Sequence, residues 1–372
     1  MRHLKCRCGA PLWFSRSIRW NDNGTISQLF RRTSRVVIVE SEIFNEVFSR
    51  IEEKMGVSIG HLVFEAQRNA AREVIDTLLG HPPLNLLRRG ALRHMVVRYF
   101  CNLAWATGQA YVEALEYKPG VFGEALIRNP YNRELMAAII LGAFESLEGK
   151  PYVHSWKKLG GDDVIRIEPA KAKPEISERM KVEMPPSKAN GHPITKCRIC
   201  GFPSDLLYLE WRPSEGKIID KRRGARMTFL DGYTPEVVFR ELEKELGEDI
   251  YPLIVQAQKE TTLKHIQDLD LTGCGTQTEA ERTACYRKAL EPLPFWGQGY
   301  ARGLRHEPGY LEVVVDNPYS NPLLAGHMAA VFEAVEGREA SVAWEKAGVS
   351  STRFRVRSAW TPAQERSPCN AA

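Results

Sequence analysis

The sequence predicts an α/β (α+β) protein of two tandem copies of one domain, each preceded by a small β-hairpin and cysteine knuckle, in a pseudo-two-fold arrangement. Three observations predict it. Lys5-Cys6-Arg7-Cys8-Gly9 returns about half a chain later as Lys196-Cys197-Arg198-Ile199-Cys200-Gly201. The residues that follow run in parallel: Pro11 with Pro203, Gly24 with Gly216, and Phe48, Gly56, Ala66 and Gln67 with Phe239, Gly247, Ala257 and Gln258. Late in each half, Asn129-Pro130-Tyr131 leads to Phe144-Glu145 and Glu148-Gly149 as Asn317-Pro318-Tyr319 leads to Phe332-Glu333 and Glu336-Gly337. Two copies in one chain commonly reproduce a homodimer, which is the origin of the two-fold expectation.

The 372 residues suffice for two domains with separate cores. No apolar run approaches the roughly 20 residues of a spanning helix, and the basic N-terminus lacks the apolar stretch of a secretory signal. The expectation is a cytoplasmic protein. A net charge of +5 permits an anionic partner without requiring one. The units read 1–34 (knuckle and hairpin), 35–168 (domain), 169–193 (proline-bearing solvated linker), 194–226 (second knuckle and hairpin), 227–358 (second domain) and 359–372 (flexible tail).

Within each copy the elements follow one order. Leu12-Trp13-Phe14 through Trp20, a turn at Asn21 to Gly24, and Ile26 to Phe30 read as a hairpin, as do Leu206 to Trp211 and Lys217 to Ile219 about Gly216. Ser41 to Gly56 places Ile43, Val47, Ile51 and Met55 on one helical face. Its counterpart opens at Thr234 as N-cap with Pro235 behind it and closes at Gly247. A second helix spans His61 to Leu79, or Pro252 to Leu269, and a third Ala91 to Ala106. Strands Gly108 to Leu115 and Val121 to Ile127 follow, then Asn-Pro-Tyr, a helix to Glu148-Gly149, and short strands Tyr152 to Trp156 and Val164 to Ile167.

That last block, strand, Asn-Pro, helix with small residues, Glu-Gly, strand, Gly turn and strand, resembles the 4-vinyl reductase domain, most closely at Val121 to Ile167 and Tyr310 to Val356. The resemblance implies a small-molecule-binding α/β fold, related also to TRAPP-complex subunits and haem-based nitric-oxide sensors. Members often carry zinc-associated cysteines around the Gly turn between the last two strands. Here Trp156 to Asp162 and Trp344 to Gly348 hold none, so the resemblance implies ligand binding without a metal at that turn.

The cysteine pairs carry the most chemistry. Cys-x-Cys-Gly or Cys-x-x-Cys-Gly is half a zinc ribbon, with two thiolates on one tight turn, and a structural zinc takes four ligands. Cys6, Cys8, Cys197 and Cys200 therefore complete one tetrahedral site if the copies dock about a two-fold axis. The alternatives are a degenerate ribbon or exposed thiol pairs. Arg31, Arg32 and Arg35 recur as Arg222, Arg223 and Arg226, a footprint either for nucleic-acid phosphates or a protein partner, or of solvated charges paired with Asp and Glu.

For a ligand pocket the candidates are Phe100, Trp105 and Tyr111 in the first copy and Phe295, Trp296 and Tyr300 in the second, with His94 as a candidate polar anchor or haem ligand. Such a row also serves as plain core. An apolar cavity on the order of 300 Å³ is expected in at least one copy, the first being favoured. No Ser-His-Asp set, HExxH or phosphate loop is present. Three functions remain: binding or sensing a small apolar ligand, a zinc-ribbon adaptor for nucleic acid or protein, and an enzyme on a hydrophobic or tetrapyrrole-type substrate. The chain is a pseudo-dimer in itself and a candidate for further self-association.

Overall fold

In the computed structural model, residues 5–29, 31–180, 187–189, 191, 193–266 and 278–359 are described. The first half runs α1 (Leu12–Ser17), β1 (Ile18–Trp20), β2 (Ile26–Gln28), β3 (Arg31–Glu40), α2 (Ser41–Met55), α3 (Gly60–Gly80), α4 (Leu92–Ala106), β4 (Tyr111–Lys118), β5 (Phe122–Arg128), α5 (Arg133–Glu148), β6 (Tyr152–Leu159) and β7 (Asp162–Pro169). A short helix α6 (Glu175–Arg179) leads to the second half. There β8 (Leu209–Arg212), β9 (Lys217–Asp220), β10 (Arg226–Asp231), α7 (Thr234–Leu246), α8 (Ile250–Lys264), α9 (Glu279–Leu290), β11 (Tyr300–Glu307), β12 (Tyr310–Asp316), α10 (Asn321–Glu336), β13 (Ala340–Gly348) and β14 (Ser351–Ser358) follow.

Three antiparallel sheets organise these elements, as the α+β class requires. The two four-stranded sheets share one strand order, β4-β5-β7-β6 and β11-β12-β14-β13. The six-stranded sheet, β1-β2-β3-β10-β9-β8, is common to both halves. At its centre β3 and β10 pair from Met227 opposite Glu40 to Asp231 opposite Val36, with Ile38 facing Phe229. Antiparallel pairing of two equivalent strands sets a local two-fold axis at that point.

Each hairpin docks on the opposite half. The Phe229 amide donates to Thr107 O and the Ile38 amide to Trp296 O, both at 2.8 Å. Trp211 Nε1 donates to Ala106 O (2.9 Å) and Trp20 Nε1 to Phe295 O (3.0 Å). The hairpin tips fit backbone to backbone: a Cβ on Gly216 would lie 1.8 Å from Tyr111 N, and one on Gly24 would lie 2.5 Å from Gly299 C. Glycine is required at both. The Asn-Pro-Tyr corners receive these tips. Asn129 and Asn317 take positive φ (48° and 51°), which asparagine tolerates, and their side-chain amides donate to Glu215 O (3.1 Å) and Asn23 O (2.9 Å).

Helices continue the exchange. α2 packs on α8 and α3 on α7, so Val47, Ile51, Val238, Phe239 and Ile254 share one core. Three sequence expectations change. Leu12 to Ser17 is helical rather than strand, because it must bury Phe14 and Ser15 together on one side instead of alternating. Thr234 lies inside α7, whose first amides are capped by Asp231: Tyr233 N and Thr234 N donate to its Oδ2 at 3.0 and 2.9 Å. The described start of the linker, through residue 180, is held rather than simply solvated. Met180 is fully buried, and Asn69 Nδ2 donates to Ser177 O (2.6 Å) and Met180 O (3.1 Å). The tail beyond 359 lies outside the described residues. Among the described residues no helix is long and apolar enough to cross a membrane.

Two arginines lock the exchange. Arg35 of β3 donates from Nη2 to Gly297 O (2.9 Å) and to Asn317 O, and from Nη1 to Pro318 O (3.2 Å). Arg226 of β10 donates from Nη2 to Gly108 O (2.9 Å), Gln109 O (3.1 Å) and Asn129 O (2.7 Å). Replacing Arg35 by Met leaves buried carbonyls unpaired, and a loss of about 3 kcal/mol is expected from urea unfolding. Arg35→Lys should rescue little, since an ammonium does not reproduce the guanidinium fork. An Arg35→Met midpoint equal to that of the wild type would show that the clamp contributes nothing.

Candidate ligand cavity and cysteine centre

The first half encloses a cavity of about 210 Å³. α3 supplies Ala70, Val74 and Ile75, α4 supplies Val97, Phe100 and Cys101, and α5 supplies Ile140 and Phe144. The sheet contributes Ala114, Gly123, Ala125, Ile165 and Ile167. The central sheet closes one end with Phe229, Leu230 and Asp231, residues of the second half. Polar groups line it as well, among them Gln67, Gln109, Glu116, Glu124 and Asp231.

The second half shows why the space exists. Gly123 pairs with Tyr117 and Ile167 and stands six residues before Asn129; Leu311 pairs with His306 and Val356 and stands six residues before Asn317. At the same ladder positions Val313 replaces Ala125, Leu304 replaces Ala114 and Phe354 replaces Ile165. Leu311, Val313 and Phe354 are buried at 1%, 1% and 0% exposure, and they fill the volume that the small residues leave open. What remains in the second half is a space of about 100 Å³ beside Trp296, Gln258 and His327.

The sequence-predicted aromatics divide. Phe100 lines the first cavity and Trp296 the second, smaller one. Trp105 lines neither. It is 3% exposed in the hairpin core, with its ring 6.2 Å from that of Trp13. Phe295 packs against that same core. Tyr111 is half-buried, its hydroxyl on Glu113 and its ring under Arg128, and Tyr300 occupies the equivalent strand position. His94 is exposed, with its ring 5.0 Å from that of Tyr117, so it neither anchors a cavity ligand nor reaches a haem within it. The small residues Gly123 and Ala125 escaped sequence reasoning. Their signal was present as Phe-Gly-Glu-Ala-Leu-Ile-Arg against Tyr-Leu-Glu-Val-Val-Val-Asp.

The four knuckle cysteines converge. Their sulfurs all lie within 4.8 Å of one another, with Cys6 Sγ to Cys197 Sγ at 3.7 Å and Cys8 Sγ to Cys200 Sγ at 3.4 Å. A tetrahedral ion with thiolate bonds of about 2.3 Å separates its sulfurs by about 3.8 Å, so the set fits a metal ion. Each knuckle is built alike. Cys6 N donates to Ala10 O and Gly9 N to Cys6 O; Cys197 N donates to Phe202 O and Gly201 N to Cys197 O. Backbone amides of Cys200 and Ile199 hold the Cys197 thiol down at about 6, while burial pushes Cys8 and Cys200 up. Inward amides of this kind favour thiolate, the form a metal takes.

Of the arginines expected to form an anionic-partner patch, four have described partners within the fold. Arg35 and Arg226 are committed to backbone carbonyls inside the fold. Arg222 pairs with Asp220 at 2.9 Å and stacks on Tyr208, and Arg223 pairs with Glu40 at 2.9 Å. The side chains of Arg31 and Arg32 lie outside the described residues. No family model matches the chain, and no curated protein matches it. Among solved structures it is similar to the phenol-responsive sensory domain of the transcription activator PoxR with phenol. The identity is 15%, the TM-score 0.30, and the match covers 44% of this chain and 90% of that one.

Burial holds the Asp231 carboxyl up at about 6, against 3.8 for an ordinary aspartate. Folding therefore takes up a proton here. The contribution is complete below the unfolded value and is lost as pH rises through about 6. Asp231→Asn keeps an acceptor but does not titrate. Its urea midpoint relative to wild type should improve between about pH 4 and about pH 7.5; a constant gap would show the carboxyl is not perturbed.

Proposed function

We propose that the chain binds a small, uncharged, largely apolar molecule in the cavity of its first half and acts as a regulatory or accessory sensor, with a structural zinc ion joining its two knuckles. One observation carries this reading. Two sheets of one strand order differ at matched core positions, and among the described residues the first borders a space of about 210 Å³, bounded chiefly by apolar side chains, against about 100 Å³ in the second half. An engineered apolar cavity of roughly 150 Å³ already accepts benzene. The matched strand orders also support reading the halves as copies of one unit, with boundaries near 35–168 and 227–358. Zinc is the ion proposed for the centre because four thiolates in tetrahedral spacing are its usual structural set.

The test of the cavity is thermal unfolding with toluene. Saturating toluene should raise the melting temperature of the wild type by about 2–4 °C through mass action. In Gly123→Leu the shift should vanish, because the new side chain enters the space bounded by Ile167 and Phe144, whose nearest atoms lie 3.2 and 3.3 Å from a Cβ there. No shift in wild type, or a shift retained in Gly123→Leu, would remove the reading. The test of the metal is elemental analysis of the purified chain. It should show about one zinc per chain, lost in Cys197→Ser along with several degrees of melting temperature.

A further inference from the structure

The cavity and the cysteine centre share a wall. α1 begins right after the first knuckle, where Lys5 and Pro11 form a bridge and Ser15 N donates to Pro11 O at 2.9 Å. Arg16 Nη2 reaches the second knuckle, donating to Ile199 O (3.2 Å), the carbonyl between Cys197 and Cys200. From the other side of the same helix Phe14 and Ser17 line the cavity, followed by Ile18 at the start of β1. Aromatic rings extend the contact. Phe14 meets Phe229 at 5.1 Å, and Trp13 meets Tyr99, a cavity residue on α4, at 5.9 Å. Among the described residues the second half has a 3-10 turn at Ser204–Leu206 in the corresponding place, and the smaller space of about 100 Å³.

Six residues are too few for a helix to stand without support. α1 is ordered by what holds its ends and faces: the knuckles on one side and the cavity walls on the other. From this we infer that metal at the four cysteines and ligand in the cavity are thermodynamically coupled through α1, each raising the affinity for the other. The inference rests on the cavity reading above. Coupling of this kind is reciprocal, with one factor governing both ligands.

The experiment titrates the full chain with fluorobenzene, followed by fluorine NMR, in the zinc-loaded and chelator-stripped states. In a second arm, chelator competition measures zinc affinity with and without saturating fluorobenzene. Zinc should strengthen fluorobenzene binding about tenfold, and fluorobenzene should strengthen zinc binding by the same factor. Circular dichroism of the stripped chain accompanies both arms: if that chain unfolds, fluorobenzene strengthens zinc binding through folding alone, and the factor measured in Trp13→Leu then decides the assignment to α1. Gly123→Leu should abolish the effect of fluorobenzene on zinc. Trp13→Leu, which lines neither site but loses the ring contacts to Phe14 and Tyr99, should retain both sites and reduce the factor toward one. Equal affinities with and without the partner overturn the coupling. Coupling that persists in Trp13→Leu overturns its assignment to α1. No binding of fluorobenzene to the zinc-loaded wild type overturns the cavity reading itself.

Discussion

The antiparallel pair of β3 and β10, with buried Arg35 on one strand and half-buried Arg226 on the other each reaching into the opposite half, is the constraint on which the rest of the structure depends. Arg35 and Arg226 each satisfy three backbone carbonyls around a Gly-Gln or Asn-Pro corner. Those corners would otherwise carry unpaired acceptors in a dry interior, at a cost of about 1–3 kcal/mol each. Because the clamps cross, neither half can bury its own corner. The same crossing brings together Cys6 and Cys197, 191 residues apart in sequence, so the cysteine centre follows from the strand pairing.

An open cavity works against stability. At about 24 cal/mol per Å³, an unfilled volume of about 210 Å³ costs on the order of 5 kcal/mol. That is comparable to the whole net stability of many domains. The second half shows that this scaffold accepts the filled solution: Leu304, Leu311, Val313 and Phe354 fit without changing strand order, while the bulge in the first strand pair moves from between Ala114 and Glu116 to between Ala301 and Gly303. A void that could be closed by ordinary substitutions, and is more nearly closed in one half, points to use in the other.

Much of the fold was legible in the sequence. The paired cysteines, the hairpin glycines, the amphipathic faces and Asn-Pro-Tyr each mark a local geometry that one or two residues dictate. The four cysteines also announced their convergence, since two ligands per copy make sense only together. Other features were not legible, because they depend on the identity of a partner. Arg35 and Arg226 look like Arg222 in a string, yet two are clamps and one is stacked on the surface against Tyr208. Trp105 looked like a pocket residue because it shares a helix with Phe100. Five residues further along, it faces the hairpin core on another side of α4. His94 was misplaced for the same reason.

The cavity itself belongs to neither half alone. Its walls are made by α3, α4, α5 and the first four-stranded sheet, but Phe229, Leu230 and Asp231 on β10 line it as well. In exchange, Val39 and Glu40 on β3 border the smaller space of the second half. Trp296 narrows that space from the position where Thr107 stands in the first half, as their matching carbonyl bonds to Ile38 and Phe229 show. One half thus keeps the larger space while the other, more nearly filled, supplies part of the surface that lines it. The division requires both halves in one chain: in a symmetric pair, opening one interior would open both, and the cavity cost would be incurred twice.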